Sequence, residues 1–63
     1  MGIYAVKTMY GTSFVIGDDI KHENDFVSIH RDNQTVALIK EDILEYTIYF
    51  DSAERIDKYY NCK

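Results

Sequence analysis

The sequence has no proline, no tryptophan, three glycines and one cysteine in 63 residues. Because Cys62 has no second cysteine to pair with, no intramolecular disulfide can form, and independence from an oxidising compartment is expected. No apolar run approaches the roughly 20 residues of a membrane-spanning helix. The N-terminal residues lack the charged region and long apolar run of a signal peptide. A cytoplasmic location without a membrane partner is therefore expected.

Basic residues are scarce, since seven lysines and arginines face eleven acids and the net charge is -4. Non-specific binding to nucleic acid depends on phosphate neutralisation by basic side chains, so this balance argues against an extended basic groove. An oligomer can still concentrate a few lysines around a pore. An acidic face would instead favour a basic protein partner.

The sequence also lacks recognisable catalytic and metal-binding motifs. No nucleophile and base spacing, paired-carboxylate motif or glycine-rich phosphate loop is present, so the chain is not expected to be an enzyme. His22 and His30, with Glu23 and Asp25 nearby, match no metal-ligand spacing and are expected to be solvated side chains. Neither a metal nor another cofactor is expected.

The 63 residues predict a single domain with a β region over residues 1–50 and a C-terminal helix and tail over residues 51–63. A fold this small buries only about 60% of the surface that its unfolded chain exposes. Such a core rarely supplies more than about 3 to 5 kcal/mol of folding stability unless a disulfide, a metal or self-association adds to it. Because disulfides and metals are not expected, self-association is the favoured source of additional stability.

Runs rich in β-branched and aromatic residues, separated by turn residues, predict five short strands. They cover residues 3–10, 14–16, 26–31, 35–40 and 43–50. Residues 20–24 are expected to be a polar connection. In the third strand Phe26, Ser28 and His30 share one face. Asp32-Asn33 predicts a tight turn and Glu41-Asp42 a turn of 3₁₀ helix. This layout favours a mainly β fold, a small, strongly bent five-stranded barrel.

The last residues change to a helical period. Asp51 is an N-cap candidate with Glu54 three positions later, which is the capping-box spacing. The acid and base spacing in this segment predicts ion pairs from Asp51 to Arg55 and from Glu54 to Lys58. Ala53, Ile56 and Tyr60 are expected on one face, which must dock on the barrel or on a neighbouring subunit because so short a helix is unstable alone.

A family resemblance rests on residues 25–43. An acidic residue precedes the Phe26-Val27 pair, a polar turn follows at Asp32-Asn33, and Ile39-Lys40 precedes an apolar residue at Ile43. This segment resembles the Sm-like family, most closely its Hfq branch of RNA chaperones. Upstream, residues 6–17 with Gly11, Phe14 and Gly17 resemble the first Sm motif, so the resemblance covers roughly residues 3–50.

The resemblance implies a bent five-stranded sheet that assembles into a homo-oligomeric ring of about six or seven subunits by strand pairing between neighbours. It also implies RNA binding near the pore, with Phe26 stacking on a base and Lys40 near a base or phosphate, beside Asp25. The chain departs from the Hfq pattern at Glu41, where the signature has His or Gly, and at Asp25, where it has an amide.

Other interpretations remain open for the same residues. Phe26 can be a core or edge aromatic, and Lys40 a solvated lysine at a strand end. For the whole chain the alternative is an SH3-like protein-interaction or inhibitor module, supported by the acidic residues Asp18, Asp19, Glu23 and Asp25. Its proline-free composition, rich in isoleucine and tyrosine, is typical of short accessory proteins of phages or mobile elements.

Overall fold

The computed structural model describes residues 2–61 and is mainly β with a short C-terminal helix. The strands are β1 Gly2–Thr8, β2 Gly11–Gly17, β3 Asp19–Glu23, β4 Phe26–Arg31, β5 Gln34–Lys40 and β6 Leu44–Phe50. A 3₁₀ turn, Glu41–Ile43, joins β5 to β6, and helix α1 covers Ala53–Asn61. The prediction of a 3₁₀ turn is confirmed.

The strands form two antiparallel sheets of three strands each. Sheet A has the order β2-β1-β6, and sheet B has the order β3-β4-β5. The chain passes from sheet A to sheet B between β2 and β3, where only Asp18 separates the strands, and returns through the 3₁₀ turn. The expected five-stranded barrel is therefore corrected to two three-stranded sheets that do not form a closed barrel.

The expectation of a polar connection at residues 20–24 is wrong. Residues 19–23 form β3, which pairs with β4 from Asp19 opposite His30 to Glu23 opposite Phe26. Ile20 lies opposite Ile29 and is half-buried, whereas its neighbours on the strand are exposed. A strand with one solvated face needs few apolar residues, so the hydrophobic pattern of the sequence does not predict β3.

Residues with positive φ mark the tight turns of the hairpins. Asp32 and Asn33 have φ values of 53° and 65°, which is the two-residue turn that twists in the same sense as its strands. The prediction for this turn is confirmed. Gly11 begins β2 after the first hairpin turn and has a φ of 130°. Residues with a side chain rarely adopt this backbone conformation, so glycine is favoured there.

The core lies between the two sheets. Tyr4 and Val6 of β1 pack against Ile29 of β4, and all three are at most 7% exposed. The sheets approach closely at Gly17, where an added Cβ would lie 2.5 Å from Ile29 Cγ2. The next residue also joins the two sheets, since the Asp18 N–H donates a hydrogen bond of 2.8 Å to the His30 carbonyl. Gly17 is therefore needed where the chain changes sheets.

Helix α1 begins one residue later than the predicted capping box. The Ser52 Oγ accepts a hydrogen bond from the Arg55 N–H at 3.4 Å, so Ser52 replaces Asp51 as the capping residue. The predicted ion pair from Asp51 to Arg55 is present at 3.7 Å between a carboxylate oxygen and Nε. The second predicted pair, from Glu54 to Lys58, is also 3.7 Å long.

Helix α1 packs on the outer face of sheet A through aromatic rings. The Tyr60 ring lies 6.0 Å from Phe14 and 6.3 Å from Phe50, and the Tyr59 ring lies 5.5 Å from Phe50. Docking on the chain's own sheet was one of the two expected arrangements. Ala53, expected on the docking face, is exposed instead.

Two further expectations are a single unpaired cysteine and the absence of a membrane-spanning helix. Cys62 lies outside the described residues. Within residues 2–61, no helix has the length and apolar character needed to cross a membrane.

Candidate nucleic-acid interface

The three residues implied by the family resemblance meet at one end of sheet B. Phe26 begins β4, Lys40 ends β5, and the two are directly opposite each other in the strand register. Asp25 precedes Phe26, and its carbonyl accepts a hydrogen bond of 2.8 Å from the Glu41 N–H. This bond holds the turn before β4 against the end of β5, so the site is built from backbone pairing.

Phe26 lies on the outer face of sheet B, outside the core between the sheets. The alternation of β4 turns Val27 and Ile29 inward, where both are completely buried, and leaves Phe26 37% exposed. Lys40 is exposed on the same face. A phenyl ring and an ammonium group are thus accessible side by side, which suits stacking on a base with a phosphate nearby.

A second row of residues crosses the outer face of sheet B beside Phe26 and Lys40. Ser28 stands at its centre, opposite Lys21 of β3 and Leu38 of β5. Ser28 is only 7% exposed, whereas Leu38 is 62% exposed. A small residue among larger ones leaves a depression of about 500 Å³, the central hollow, with Ser28 at its floor and Phe26 and Leu38 among its walls.

A third row completes the face with a hydrogen-bonded histidine. His30 lies opposite Asp19 of β3 and Thr35 of β5. Its Nε2 is 2.8 Å from the Ser28 Oγ, and its Nδ1 is 3.5 Å from the Thr35 Oγ1. Because hydroxyl groups both donate and accept, this network accommodates either tautomer of the imidazole.

Sequence reasoning treated His30 as a solvated residue and missed this network. The signal was present in the alternation of β4, since residues two apart on a strand share a face. The strand period predicts Phe26, Ser28 and His30 on one face, but it does not align Thr35 and Leu38 of the neighbouring strand with them. The register across β4 and β5 supplies that missing information.

An acidic hollow of about 350 Å³ adjoins the third row. Its walls include Asp18, Asp19 and Asp32, and the Asp32 N–H donates to the Asp18 carboxylate at 3.3 Å. Lys21 also lines this hollow. Three carboxylates and one ammonium group therefore line this hollow, which makes this part of sheet B predominantly acidic.

The histidines are separated in the fold. His22 lies opposite Val27 and so belongs to the other face of sheet B from His30. In residues 2–61, no group of three or more His, Cys, Asp or Glu side chains is arranged to hold a metal ion.

Comparison of the chain with protein-family models, curated proteins and solved structures gave no significant match. Membership of the Sm-like family accordingly stays a prediction from the sequence. The functional argument rests on the residues of sheet B themselves.

Proposed function

We propose that the chain is a non-catalytic binding module that binds RNA or a nucleotide-like ligand where Phe26, Lys40 and Asp25 meet. The observation that supports this proposal is the exposed Phe26 ring directly opposite Lys40. Stacking of a base on an aromatic ring contributes about 1 to 3 kcal/mol. The ammonium group adds attraction to a phosphate, which weakens as salt is raised. We place this activity in the cytoplasm.

The proposed assembly is a homo-oligomer, an Sm-like ring of about six or seven subunits. Strands β5 and β6 are the outer strands of their sheets, and each pairs on one side within residues 2–61. Val36 and Leu38 of β5 are also exposed. Pairing β5 of one subunit with β6 of the next would cover these edges and bend the sheets into a shared barrel wall. It would also repeat the binding site, so that weak sites act together.

Binding of short oligo-U and oligo-A at low salt tests the ligand. Phe26→Ala and Lys40→Ala should each weaken binding, whereas the matched controls Tyr10→Ala and Lys58→Ala, on exposed residues away from sheet B, should not. If the unmodified protein binds neither oligonucleotide, the proposed ligand is wrong. Native mass spectrometry tests the assembly, and a monomer would contradict the ring.

The second candidate is an acidic protein-interaction or inhibitor module of the SH3-like type. The hollow lined by Asp18, Asp19 and Asp32 supports it, because concentrated carboxylates favour a basic partner. Pull-downs with the unmodified protein and with an Asp18→Asn, Asp19→Asn variant should then differ in the partners retained. Identical partners, with binding of oligonucleotides intact, would leave only the first proposal.

A further inference from the structure

We propose that the central hollow of sheet B holds one planar nucleobase and that Ser28, together with His30, recognises the edge of that base. This inference rests on the proposed function and extends the site beyond Phe26 and Lys40. The ligand is the base of a nucleotide, either in a single strand or free in solution.

The shape of the hollow fits a flat ring. Phe26 and Ser28 are two residues apart on β4, about 7 Å along the strand, so a base stacked on Phe26 places its edge over Ser28. Leu38 stands directly opposite Ser28 and provides an apolar wall on the β5 side. The low floor at Ser28 is what lets a ring enter between these two apolar side chains.

The polar groups at the floor can both donate to and accept from a base. Within residues 2–61, the Ser28 hydroxyl makes one hydrogen bond, to His30 Nε2, and a hydroxyl can form up to three. When Nε2 accepts, the Ser28 oxygen accepts from an amino group of the ligand. When Nε2–H donates, the Ser28 O–H donates to a ligand carbonyl. The same pair can therefore bond either an amino edge or a carbonyl edge of a base.

Two lysines lie beside the hollow on the same face of sheet B. Lys21 lies opposite Ser28 on β3, and Lys40 lies opposite Phe26 on β5. Neither lysine lines the hollow, whereas the Glu23 carboxylate does, so a phosphate attached to the base is expected outside the hollow rather than within it. Asp19 also lies on this face, so any attraction to the lysines is local and sensitive to salt.

The same side chains do not make a hydrolytic triad. Ser28 and His30 resemble a nucleophile and its base, but the third group is the Thr35 hydroxyl at 3.5 Å. In a triad a carboxylate takes that place and stabilises the imidazolium that forms during the reaction. A hydroxyl has no charge to do so, and the network is suited to hydrogen-bonding a ligand.

The first test measures binding of oligo-U and of oligo-A, because Ser28 can bond the carbonyl edge of one base and the amino edge of the other. Ser28→Ala should weaken binding of at least one of them by roughly three- to tenfold, the effect of one hydrogen bond. The control Thr12→Ala removes an exposed hydroxyl from the outer face of sheet A and should leave both affinities unchanged. Unchanged affinities in Ser28→Ala would overturn the role of this residue.

A second variant tests the hollow without altering its hydrogen bonds. Leu38→Glu places a carboxylate at an exposed wall and should abolish binding of both oligonucleotides. Met9→Glu adds the same charge at an equally exposed apolar residue outside the hollow and should retain binding. Equal binding by the two variants would overturn the hollow as the site. Circular dichroism would confirm that all variants fold.

Mononucleotides separate the two sources of the base. Binding of UMP or AMP with the same dependence on Ser28 and Leu38 assigns the hollow to a free nucleotide, and binding of the oligonucleotides alone assigns it to a strand. If the unmodified protein binds oligonucleotides but both variants behave as their controls, the inference fails and the proposed function survives. If it binds no nucleotide or oligonucleotide, both fail.

Discussion

The outer faces of the two sheets are both apolar in part, but only that of sheet A is partly covered by another element of the chain, helix α1. On sheet A, Phe50 is 6% exposed beneath the tyrosines of α1, and Ala5 is completely buried. On sheet B, Phe26 is 37% exposed and Leu38 is 62% exposed. The C-terminal helix therefore covers the part of sheet A around Phe50, leaves Phe14 and Ile16 about half exposed, and does not reach the outer face of sheet B.

This difference separates residues that stabilise the fold from residues that are available to a ligand. On sheet A, α1 covers Phe50 on the outer face and sheet B covers Tyr4 and Val6 on the inner face, so these residues contribute to folding. The open face of sheet B combines apolar side chains with a hydrogen-bonded serine and histidine and two lysines. Such a mixture is typical of a binding site, where apolar walls supply contact area and a few polar groups supply specificity.

The largest effect is expected from removing the ring that joins α1 to sheet A. Phe50→Ala should lower the free energy of unfolding by about 3 to 5 kcal/mol, because it leaves a cavity beneath two tyrosines. A loss of that size equals what so small a core supplies, so much of the variant should be unfolded before urea is added. Urea unfolding followed by circular dichroism measures this loss. Leu38→Ala on sheet B is the control and should cost far less. Similar losses for the two variants would show that the outer faces do not differ.

The next effect tests the point where the chain passes from one sheet to the other. Gly17→Ala should destabilise the fold by about 1 to 3 kcal/mol, because the new methyl group would meet Ile29 at 2.5 Å and the His30 carbonyl oxygen at 3.1 Å. Ser13→Ala changes an exposed residue of the same strand and serves as the control. Thermal unfolding measures both. A Gly17→Ala protein as stable as its parent would contradict this close approach.

Alkaline unfolding tests the face that sheet A turns toward the core. Burial raises the pKa of the Tyr4 phenol above its ordinary value of 10.0, and the nearby Asp19 carboxylate adds to the effect. Since the folded state holds this proton more tightly, its contribution to stability is complete below pH 10 and is lost as the pH rises through the folded pKa. Tyr4→Phe should unfold with a weaker dependence on alkaline pH than the parent. An identical pH dependence would remove Tyr4 as the cause.

Local sequence patterns predicted the parts of the fold that depend on neighbouring residues. The turn at Asp32-Asn33, the 3₁₀ turn and the two ion pairs of α1 follow from residues at most four apart. The sequence did not reveal β3, because a polar strand is identified by the partner that buries its other face. The separation into two sheets likewise depends on contacts between distant residues, such as Gly17 with Ile29.

In the candidate site, too, some residues are predicted from the local sequence and others only from the tertiary structure. Phe26, Lys40 and Asp25 were found by resemblance to a family motif, and the structure brings them together. His30 and Ser28 were placed on one face by the strand period, but their hydrogen bond depends on side-chain geometry. The contribution of Thr35 and Leu38 required the register between β4 and β5, which includes an irregularity after Ile29. Periodicity alone does not locate such a shift.

The smallest effect on stability is expected at Phe26, the counterpart of Phe50 on the open sheet. Because 37% of its area is already exposed to solvent, Phe26→Ala should cost about 1 to 2 kcal/mol in the monomer, less than Phe50→Ala. Urea unfolding at several protein concentrations measures this cost and detects assembly, since oligomer stability rises with concentration. A small cost with lost oligonucleotide binding would assign Phe26 to ligand recognition. A loss as large as that of Phe50→Ala, growing with concentration, would mean that a neighbouring subunit covers sheet B as α1 covers sheet A.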